Sequence, residues 1–373
     1  QSSAVCRNRI GVSDSFKSSH IWRAVLSESS MVVPFLFTRP TVGGLGPRPA
    51  ENHRIGQQSY RHGMGVVKSG RVSEVSHQER QTVKESTTAT FRRLLAGPDV
   101  IMAPGAPDPF YARLIAHKGF PAVYMTGAGA TAVRLGMPDI GLLTLTEMVD
   151  NAARIVDASG LPVIADCDNG YGGPLNVRRA IQSYERAGVA AIHMEDQIIP
   201  KRCGHFSGKQ LIPAAEMVAK IKAAVDAKSD SDFVVIARTD AIAVEGFDAA
   251  MERAAMYEEA GADMLFVEAP TDREQMIKIG SSFDVPHVAN LASSRKTPLL
   301  PAEELGELGF KLVIYPGVLL LSTIRAALSC LDELKTKRTW GDMEADLPTF
   351  DEMLNLMGME EVQSLEQRYA VTE

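Results

Sequence analysis

The chain has 373 residues, of which 45% are hydrophobic, which is enough for one large domain with a sizeable core. Its formal net charge of -7 provides no basic field for nucleic acid or an anionic membrane, so we expect small polar partners, no nucleic acid and no membrane. The four cysteines lack paired spacing and no apolar run is long enough to cross a bilayer, which indicates a soluble protein of a reducing compartment.

Residues 1–80 differ in composition from the rest of the chain. They are rich in arginine and serine and poor in acidic residues, which is typical of organelle transit segments. The stretch AVCRNRIGVSDSFKSS within them shows no clear amphipathic helix, which favours a poorly ordered extension over a targeting signal. We therefore predict a cytoplasmic protein, with the mitochondrion as the alternative, and a catalytic domain with a C-terminal helical tail over residues 81–373.

From about residue 84 onward, short β-branched segments alternate with helical segments. Eight strands are predicted, at residues 100–105, 122–127, 162–168, 190–196, 233–240, 264–269, 286–291 and 311–317. A helix after each strand predicts a closed (β/α)8 barrel of the TIM type. An open doubly wound sheet is the competing fold, although the glycine pattern of dinucleotide-binding sheets is missing after the first strand.

Polar residues gather where the predicted strands end, and such a barrel places its chemistry there. Asp166 and Asp168 are two residues apart on one strand, so their carboxylates should share a face. With Glu195 they could hold Mg²⁺ or Mn²⁺, directly or through water, whereas the pair alone could merely cap a turn. Arg238 could bind a carboxylate or an oxyanion, or form a structural ion pair with neighbouring acids.

The stretch PKRCGHFSGKQ, residues 200–210, follows the fourth predicted strand. Its cations favour a thiolate or a bound anion near Cys203. A zinc site and a redox pair are the weaker interpretations, because no second Cys/His pair and no resolving cysteine lie nearby. A nucleophile or a general acid remains as the functional interpretation, and an ordinary loop thiol as the alternative.

Seven motifs occur in order at barrel-strand spacing, beginning near Phe91. They are VYMTGAG, LGMPDIGLLT, ADCDNGYGGPLNV, HMEDQ, KRCGH, ARTDA and FVEAP. Together they resemble the isocitrate lyase and phosphoenolpyruvate mutase superfamily. The resemblance implies a (β/α)8 barrel whose eighth helix is swapped between the subunits of a dimer, usually within a homotetramer, and an active site with Mg²⁺. The segment VLLLSTIRAALSCLDELKTK resembles that eighth helix.

The resemblance also implies a role for each site residue. The metal-site carboxylates are matched by Asp166, Asp168 and Glu195, with Asp139 as a neighbouring active-site acid. The substrate-binding residues are matched by Thr126, Gly127, Ala128, Gly204, Glu268 and Asn290. The catalytic residues are matched by Cys203 as general acid, Arg238 facing the enolate oxygen, Tyr124 as a candidate base, and Lys201 and His205 on the loop of Cys203.

The KRCGH segment resembles the lyases of the superfamily, since the phosphonate-forming mutases generally lack it. A carbon–carbon lyase needs an acid to protonate the departing carbanion, and Cys203 can supply that proton. Leu321 stands where methylisocitrate lyases carry a substrate-binding arginine, which favours a smaller, more apolar dicarboxylate. We expect cleavage of a 2-hydroxydicarboxylate such as 2,3-dimethylmalate to pyruvate and propionate. Methylisocitrate cleavage, oxaloacetate hydrolysis and carboxyphosphonoenolpyruvate phosphonomutase activity are the alternatives.

Overall fold

Eight parallel strands form a closed barrel in the computed structural model, which describes residues 85–202, 204, 208–292 and 296–371. The strands are β1 (Ile101–Ala106), β2 (Val123–Met125), β3 (Val163–Asp166), β4 (Ala191–Glu195), β5 (Val234–Thr239), β6 (Met264–Val267), β7 (His287–Asn290) and β8 (Phe310–Tyr315). Each strand pairs with the next, and β8 pairs with β1 from Ile101↔Leu312 to Pro104↔Tyr315. The predicted barrel is confirmed.

At least one helix follows every strand. The helices are α1 (Thr87–Ala96), α2 (Pro109–His117), α3 (Gly127–Leu135), α4 (Leu145–Ser159), α5 (Pro174–Arg186), α6 (Ala214–Ala227), α7 (Phe247–Glu259), α8 (Arg273–Ser281), α9 (Ala302–Glu307), α10 (Val318–Lys337), α11 (Phe350–Leu356) and α12 (Met359–Arg368). In α5 the predicted apolar face of Val177, Ile181 and Tyr184 is fully buried. Helical periodicity therefore identified the surface that packs on the barrel.

The core has two layers, because alternate strand residues point to opposite sides of the sheet. One layer lies between the strands and the surrounding helices. The other fills the barrel interior and includes Ile101, Tyr124, Ile164, Ile236, Phe266, Leu312 and Ile314. The barrel is thus a packed scaffold, and the polar residues at its carboxyl end lie above an apolar floor.

Helix α10 differs from the other long helices, because none of its residues is buried within the described chain. Its exposed apolar residues form one stripe, which comprises Val318, Leu321, Ile324, Leu328, Leu331 and Leu334. Among the described helices, none combines the length and apolarity that a membrane crossing requires. The predicted extension over residues 1–80 lies outside the described residues.

Candidate active site

A cavity of about 220 Å³ opens at the carboxyl ends of the strands. It is lined by Tyr124, Thr126, Ala128, Gly129, Asp139, Asp166, Glu195, Lys201, Gly204, Arg238, Glu268, Asn290, Ala292, Pro316, Gly317, Leu320 and Leu321. The structure thus brings together most of the predicted site residues. Two others contact the lining, since Gly127 bonds to Asp166 and Asp168 pairs with Lys201. Cys203 and His205 lie outside the described residues.

Helix α3 begins at the cavity, where Thr126 caps it. The Thr126 hydroxyl accepts a hydrogen bond from the Gly129 N–H at 3.2 Å. The Gly127 N–H donates to Asp166 Oδ2 at 3.2 Å, and a side chain at Gly127 would collide with that carboxylate. The first turn of α3 therefore lies against the end of β3, and its positive end stabilises the Asp166 carboxylate.

Asp166 and Asp168 have different backbone conformations. Strand β3 ends at Asp166, and Asp168 has a φ of 46°, in the left-handed region. Strand alternation therefore does not extend to Asp168, because the strand stops before it, although both carboxylates act on Lys201. A turn replaces the strand, in which the Asp168 N–H donates to Asp166 Oδ1 at 2.9 Å. Asp166 thus caps a turn and also lines the cavity.

Lys201 links two of the predicted acidic residues. Its ammonium lies 2.8 Å from Asp139 Oδ2 and 2.6 Å from Asp168 Oδ1, and its side chain is buried. Burial works against the charged form, but the surrounding carboxylates, led by Asp168, hold the pKa of Lys201 well above its ordinary value. Burial raises the pKa of Asp168 to about 6 even though Lys201 opposes the shift. Lys201 is thus a permanent positive charge inside the acidic cluster.

Glu195 has one carboxylate oxygen without a partner. Its Oε2 lies 3.4 Å from Arg238 Nε, whereas its buried Oε1 has no hydrogen-bond partner among the described residues. Burial raises the pKa of Glu195 well above its ordinary value, although Arg238 opposes the shift. A buried carboxylate oxygen of this kind fits a cation or a water molecule bound to one.

The acidic residues do not form a ready three-ligand metal site. In the described part of the chain, no three histidine, cysteine or acidic side chains are arranged to hold one metal ion. Asp166, Asp168, Asp139 and Glu195 nevertheless supply only oxygen donors, which suits a hard cation that retains several water ligands. The residues therefore fit a hydrated Mg²⁺ better than an ion enclosed by protein ligands alone.

Arg238 is held in a fixed orientation. Its Nε and Nη2 donate to the two oxygens of Asp240 at 3.0 and 3.1 Å, and its guanidinium lies 5.0 Å from the centre of the Phe266 ring. A side chain at Gly204 would collide with this guanidinium, so the backbone of residue 204 passes directly against it. The bidentate pair and the ring leave the group little freedom to rotate, which suits recognition of an oxyanion.

Tyr124 forms a hydrogen bond in the barrel interior. Its hydroxyl lies 2.8 Å from His193 Nε2, and the two rings stack with centroids 5.6 Å apart. Burial, with a smaller contribution from Asp166, raises the pKa of Tyr124 well above its ordinary value. Tyr124 is therefore a neutral phenol in this environment, which does not favour a resting phenolate as the base.

The far side of the cavity combines an amide with apolar groups. Asn290 donates to both carboxylate oxygens of Glu268, at 3.3 and 3.1 Å. Beyond them, Pro316 and the first turn of α10, with Leu320 and Leu321, form an apolar wall. The cavity thus has a charged side, built by β3 to β6, and an apolar side, built after β8.

Two buried residues at the site were not predicted from the sequence as functional residues. They are His193, below Tyr124, and Asp240, which fixes Arg238. A signal for His193 was present, because it stands two residues before Glu195 on the same strand and so shares its inward face. Asp240 stood at a predicted strand end, but nothing in the sequence showed that it would face its neighbour Arg238 rather than the cavity.

The fold and this site define a (β/α)8-barrel enzyme whose polar cavity lies at the carboxyl ends of the strands. The chain belongs to the phosphoenolpyruvate phosphomutase family, which matches residues 91–335. It lies within the isocitrate lyase and phosphoenolpyruvate mutase superfamily, as predicted. The family comprises carbon–carbon lyases and phosphomutases, and the chain is an enzyme of this family.

Individual relatives act on different substrates. The chain is 45% identical over 285 residues to the 2,3-dimethylmalate lyase of Eubacterium barkeri. The matched region covers 76% of this chain and 99% of the relative. It superposes with a TM-score of 0.72 on an oxaloacetate acetylhydrolase in complex with 3,3-difluorooxalacetate, at 36% identity, covering 76% and 97% of the two chains. It superposes with a TM-score of 0.70 on a phosphonopyruvate hydrolase in complex with oxalate and Mg²⁺, at 29% identity, covering 76% and 99%.

Proposed function

We propose that this protein is a Mg²⁺-dependent lyase that cleaves a 2-hydroxydicarboxylate such as 2,3-dimethylmalate to pyruvate and propionate. The observation that carries the proposal is the division of the cavity into a charged side and an apolar wall of Pro316, Leu320 and Leu321. A dicarboxylate with alkyl substituents matches this division. The likeness to a 2,3-dimethylmalate lyase over most of the chain supports the same substrate class.

Asp166, Asp168 and Glu195 would hold the Mg²⁺, with Asp139 beside them and water molecules completing the coordination. Two observations support this assignment: no described residue bonds to Glu195 Oε1, and a related hydrolase binds Mg²⁺. Mn²⁺ has similar ligand preferences and is the proposed alternative. The bound ion would act as a Lewis acid that makes the substrate hydroxyl more acidic.

The chain's own residues would bind and orient the substrate. The first turn of α3, from Thr126 to Gly129, would receive one carboxylate, because the helix dipole favours an anion there. Arg238, held by Asp240, would face the oxygen that gains negative charge. Tyr124 can donate its proton to His193 while its oxygen accepts a hydrogen bond from the substrate hydroxyl.

The proposed reaction breaks the bond between C2 and C3 of the substrate. The C2 hydroxyl gives its proton to the Tyr124 oxygen while Tyr124 passes its own proton to His193. C2 becomes the ketone carbon of pyruvate, and the electron pair of the broken bond moves to C3 and its carboxylate.

A proton delivered to C3 completes propionate. Cys203 is the proposed donor of this proton, and Lys201 and His205 belong to the same loop. The described neighbour of Cys203, Gly204, lines the cavity beside Arg238, which supports a role for this loop at the reacting carbons.

The exposed stripe of α10 supports an exchange of this helix between two copies of the chain. An apolar groove runs along β1, β8 and α2, and it is lined by Met102, Pro104, Leu114, Ile115, Phe120, Tyr315 and Leu319, among others. In a monomer both the stripe and the groove face water, which is unfavourable for surfaces of this size. In a dimer the α10 stripe of each copy can pack into the groove of the other, so a helix-swapped dimer would bury both surfaces. Its pairing into a homotetramer, and the cytoplasmic location, stay predictions.

A substrate panel tests the proposal. Purified protein with Mg²⁺ is incubated with 2,3-dimethylmalate, 2-methylisocitrate and oxaloacetate, and both products of each reaction are identified by mass spectrometry. We expect pyruvate and propionate from 2,3-dimethylmalate, and loss of both with Cys203→Ala or Asp168→Ala. Faster release of oxalate from oxaloacetate, or phosphonate formation seen by phosphorus NMR, would identify a different activity. Undiminished turnover by Cys203→Ala would remove the general-acid role.

A further inference from the structure

Lys209 is buried behind the residues that line the cavity. Its side chain is 2% exposed, and its ammonium donates to Asp240 Oδ1 at 2.7 Å and to the Gly204 carbonyl at 2.5 Å. Burial of an ammonium costs several kcal/mol unless polar and charged partners surround it. The two partners lie on different segments of the chain, so this charge holds those segments together.

Asp240 connects Lys209 to Arg238. One of its oxygens accepts from Arg238 Nε at 3.0 Å, and the other accepts both from Arg238 Nη2 at 3.1 Å and from Lys209. The Asp240 N–H donates to Asp196 Oδ1 at 3.0 Å, which fixes the backbone beneath the carboxylate. The direction of the Arg238 guanidinium therefore depends on a carboxylate that Lys209 helps to hold.

Gly204 brings a second segment to the same guanidinium. A side chain here would collide with Arg238 and would also lie close to Glu268 and Asp240. The carbonyl of Gly204 is the second acceptor of the Lys209 ammonium. Gly204 directly follows Cys203 in the sequence, so Lys209 binds the backbone next to the proposed general acid.

We propose that Lys209 is a positioning residue for the lyase reaction, because one ammonium fixes both the Arg238 guanidinium, through Asp240, and the backbone next to Cys203. The inference rests on the proposed function for the roles of Arg238 and Cys203. Arg238 acts on the oxygen that gains negative charge, and Cys203 acts on the carbon that gains a proton. A displacement of about 1 Å at a reacting group costs on the order of 100-fold in rate.

Substitution of Lys209 separates positioning from folding. Lys209→Met removes the ammonium and keeps an unbranched side chain, and we expect kcat to fall about 100-fold while KM changes less than about threefold. Lys209→Gln keeps an uncharged NH2 donor group, so its kcat should fall only about 10-fold. This variant also tests the proposal if the methionine variant does not fold. Lys209→Arg restores the charge and should recover part of the kcat lost in Lys209→Met.

Lys228 offers a matched control at the opposite end of the barrel. Its ammonium also donates to one carbonyl, of Phe233, and to one carboxylate, of Asp263, each at 3.1 Å. Lys228→Met should lower the melting temperature about as much as Lys209→Met and leave kcat unchanged. If Lys209→Met lowers kcat no more than Lys228→Met does, Lys209 has only a structural role and the inference is wrong.

Oxalate binding distinguishes failure of this inference from failure of the proposed function. With Mg²⁺ present, calorimetry should show equal oxalate affinity for the wild type and Lys228→Met, and about 10-fold weaker affinity for Lys209→Met, whose Arg238 is less well directed. A wild type that binds oxalate but cleaves no acid of the panel would refute the proposed reaction, and the oxalate affinities alone would then decide the role of Lys209. A wild type that neither cleaves nor binds would refute both.

Discussion

The Tyr124 hydroxyl lies 2.8 Å from His193 Nε2, in the barrel interior beneath the cavity. Burial lowers the pKa of His193 to about 4, and burial also raises the pKa of Tyr124 well above its ordinary value. Both side chains are therefore neutral near about pH 7. The phenol can donate to the imidazole, and its oxygen keeps a lone pair directed to the cavity.

We predict that Tyr124→Phe lowers kcat by about 100-fold, because the substrate hydroxyl loses its hydrogen-bond acceptor. The free energy of unfolding should also fall by about 1 to 2 kcal/mol, because His193 loses its partner. Steady-state kinetics and urea denaturation measure the two effects separately. Tyr111→Phe, on α2 away from the cavity, is the control and should retain its activity. A Tyr124→Phe enzyme with kcat close to that of the wild type would exclude this role.

Glu195 Oε1, which has no hydrogen-bond partner among the described residues, leads to a prediction about the metal. Removal of Mg²⁺ with a chelator should abolish turnover, and Mg²⁺ or Mn²⁺ should restore it. Glu195→Gln should raise the Mg²⁺ concentration for half-maximal activity about 10- to 100-fold, because the amide lacks the carboxylate charge. Asp272→Asn, which changes an exposed carboxylate that caps α8, should leave this concentration unchanged. If Glu195→Gln and Asp272→Asn required the same Mg²⁺ concentration, Glu195 would not be a ligand of the ion.

His287 makes folding stability depend on pH. It lies between Phe283 and Phe310, and neither ring nitrogen has a hydrogen-bond partner in the described part of the chain. Burial lowers its pKa from 6.5 to about 4, so the unfolded chain takes up a proton at a higher pH than the folded chain does. Stability contributed by the neutral ring is therefore present above pH 6.5 and is lost as the pH falls toward 4, by up to about 3 kcal/mol.

We expect His287→Leu to reduce this pH dependence. Its free energy of unfolding, measured with urea between about pH 7 and about pH 4.5, should decrease less than that of the wild type. Titration of the other groups is common to both proteins, so the difference between the curves isolates His287. Parallel curves would show that the imidazole is not the source.

Leu321 should control which acids fit the cavity. We predict that Leu321→Arg lowers kcat/KM for 2,3-dimethylmalate about 10- to 100-fold, because a guanidinium replaces part of the apolar wall. The same change should raise the relative preference for 2-methylisocitrate, whose additional carboxylate can pair with the arginine. Ser322→Arg introduces the same charge one position later on α10 and should not alter the preference. Identical shifts in both variants would mean that charge alone, and not the wall, is responsible.

The stripe on α10 predicts the state of association. Leu328→Glu combined with Leu331→Glu places two charges in the surface that a second copy would cover, which costs several kcal/mol on association. Light scattering coupled to size-exclusion chromatography should therefore show a smaller assembly than the wild type forms. Ser329→Glu, on another side of the same helix, should leave the mass unchanged. A wild type that is already monomeric would refute the helix exchange.

The barrel and most of the site could be predicted from the sequence, because both depend on local patterns. Alternation of strand and helix sets the fold, and the strand ends identify Asp166, Glu195 and Arg238 without any knowledge of tertiary contacts. The residue at which a strand ends could not be predicted in the same way. The register of β3 with β4 ends at Asp166↔His193, and the backbone turns at Asp168, whose carbonyl still accepts a hydrogen bond from the Glu195 N–H.

Pairings between side chains that are far apart in the sequence could not be predicted either. Lys209 and Asp240 are 31 residues apart, and Lys201 and Asp139 are 62 apart, so no helical or strand period relates them. Each pair forms because a loop folds back over the barrel rim and must neutralise a charge that it buries. Such pairings depend on loop conformation, which residue type alone does not determine.

Helix α10 begins at the cavity and extends away from it for 20 residues, or about 30 Å. Its first turn supplies Leu320 and Leu321 to the apolar wall, while Leu331 and Leu334 lie far out on the exposed stripe. A rigid helix transmits a small tilt at one end to the other, so substitutions far from the cavity can shift the wall. Substitutions along the stripe of α10 would therefore alter the shape of the cavity without changing any charged residue of the site.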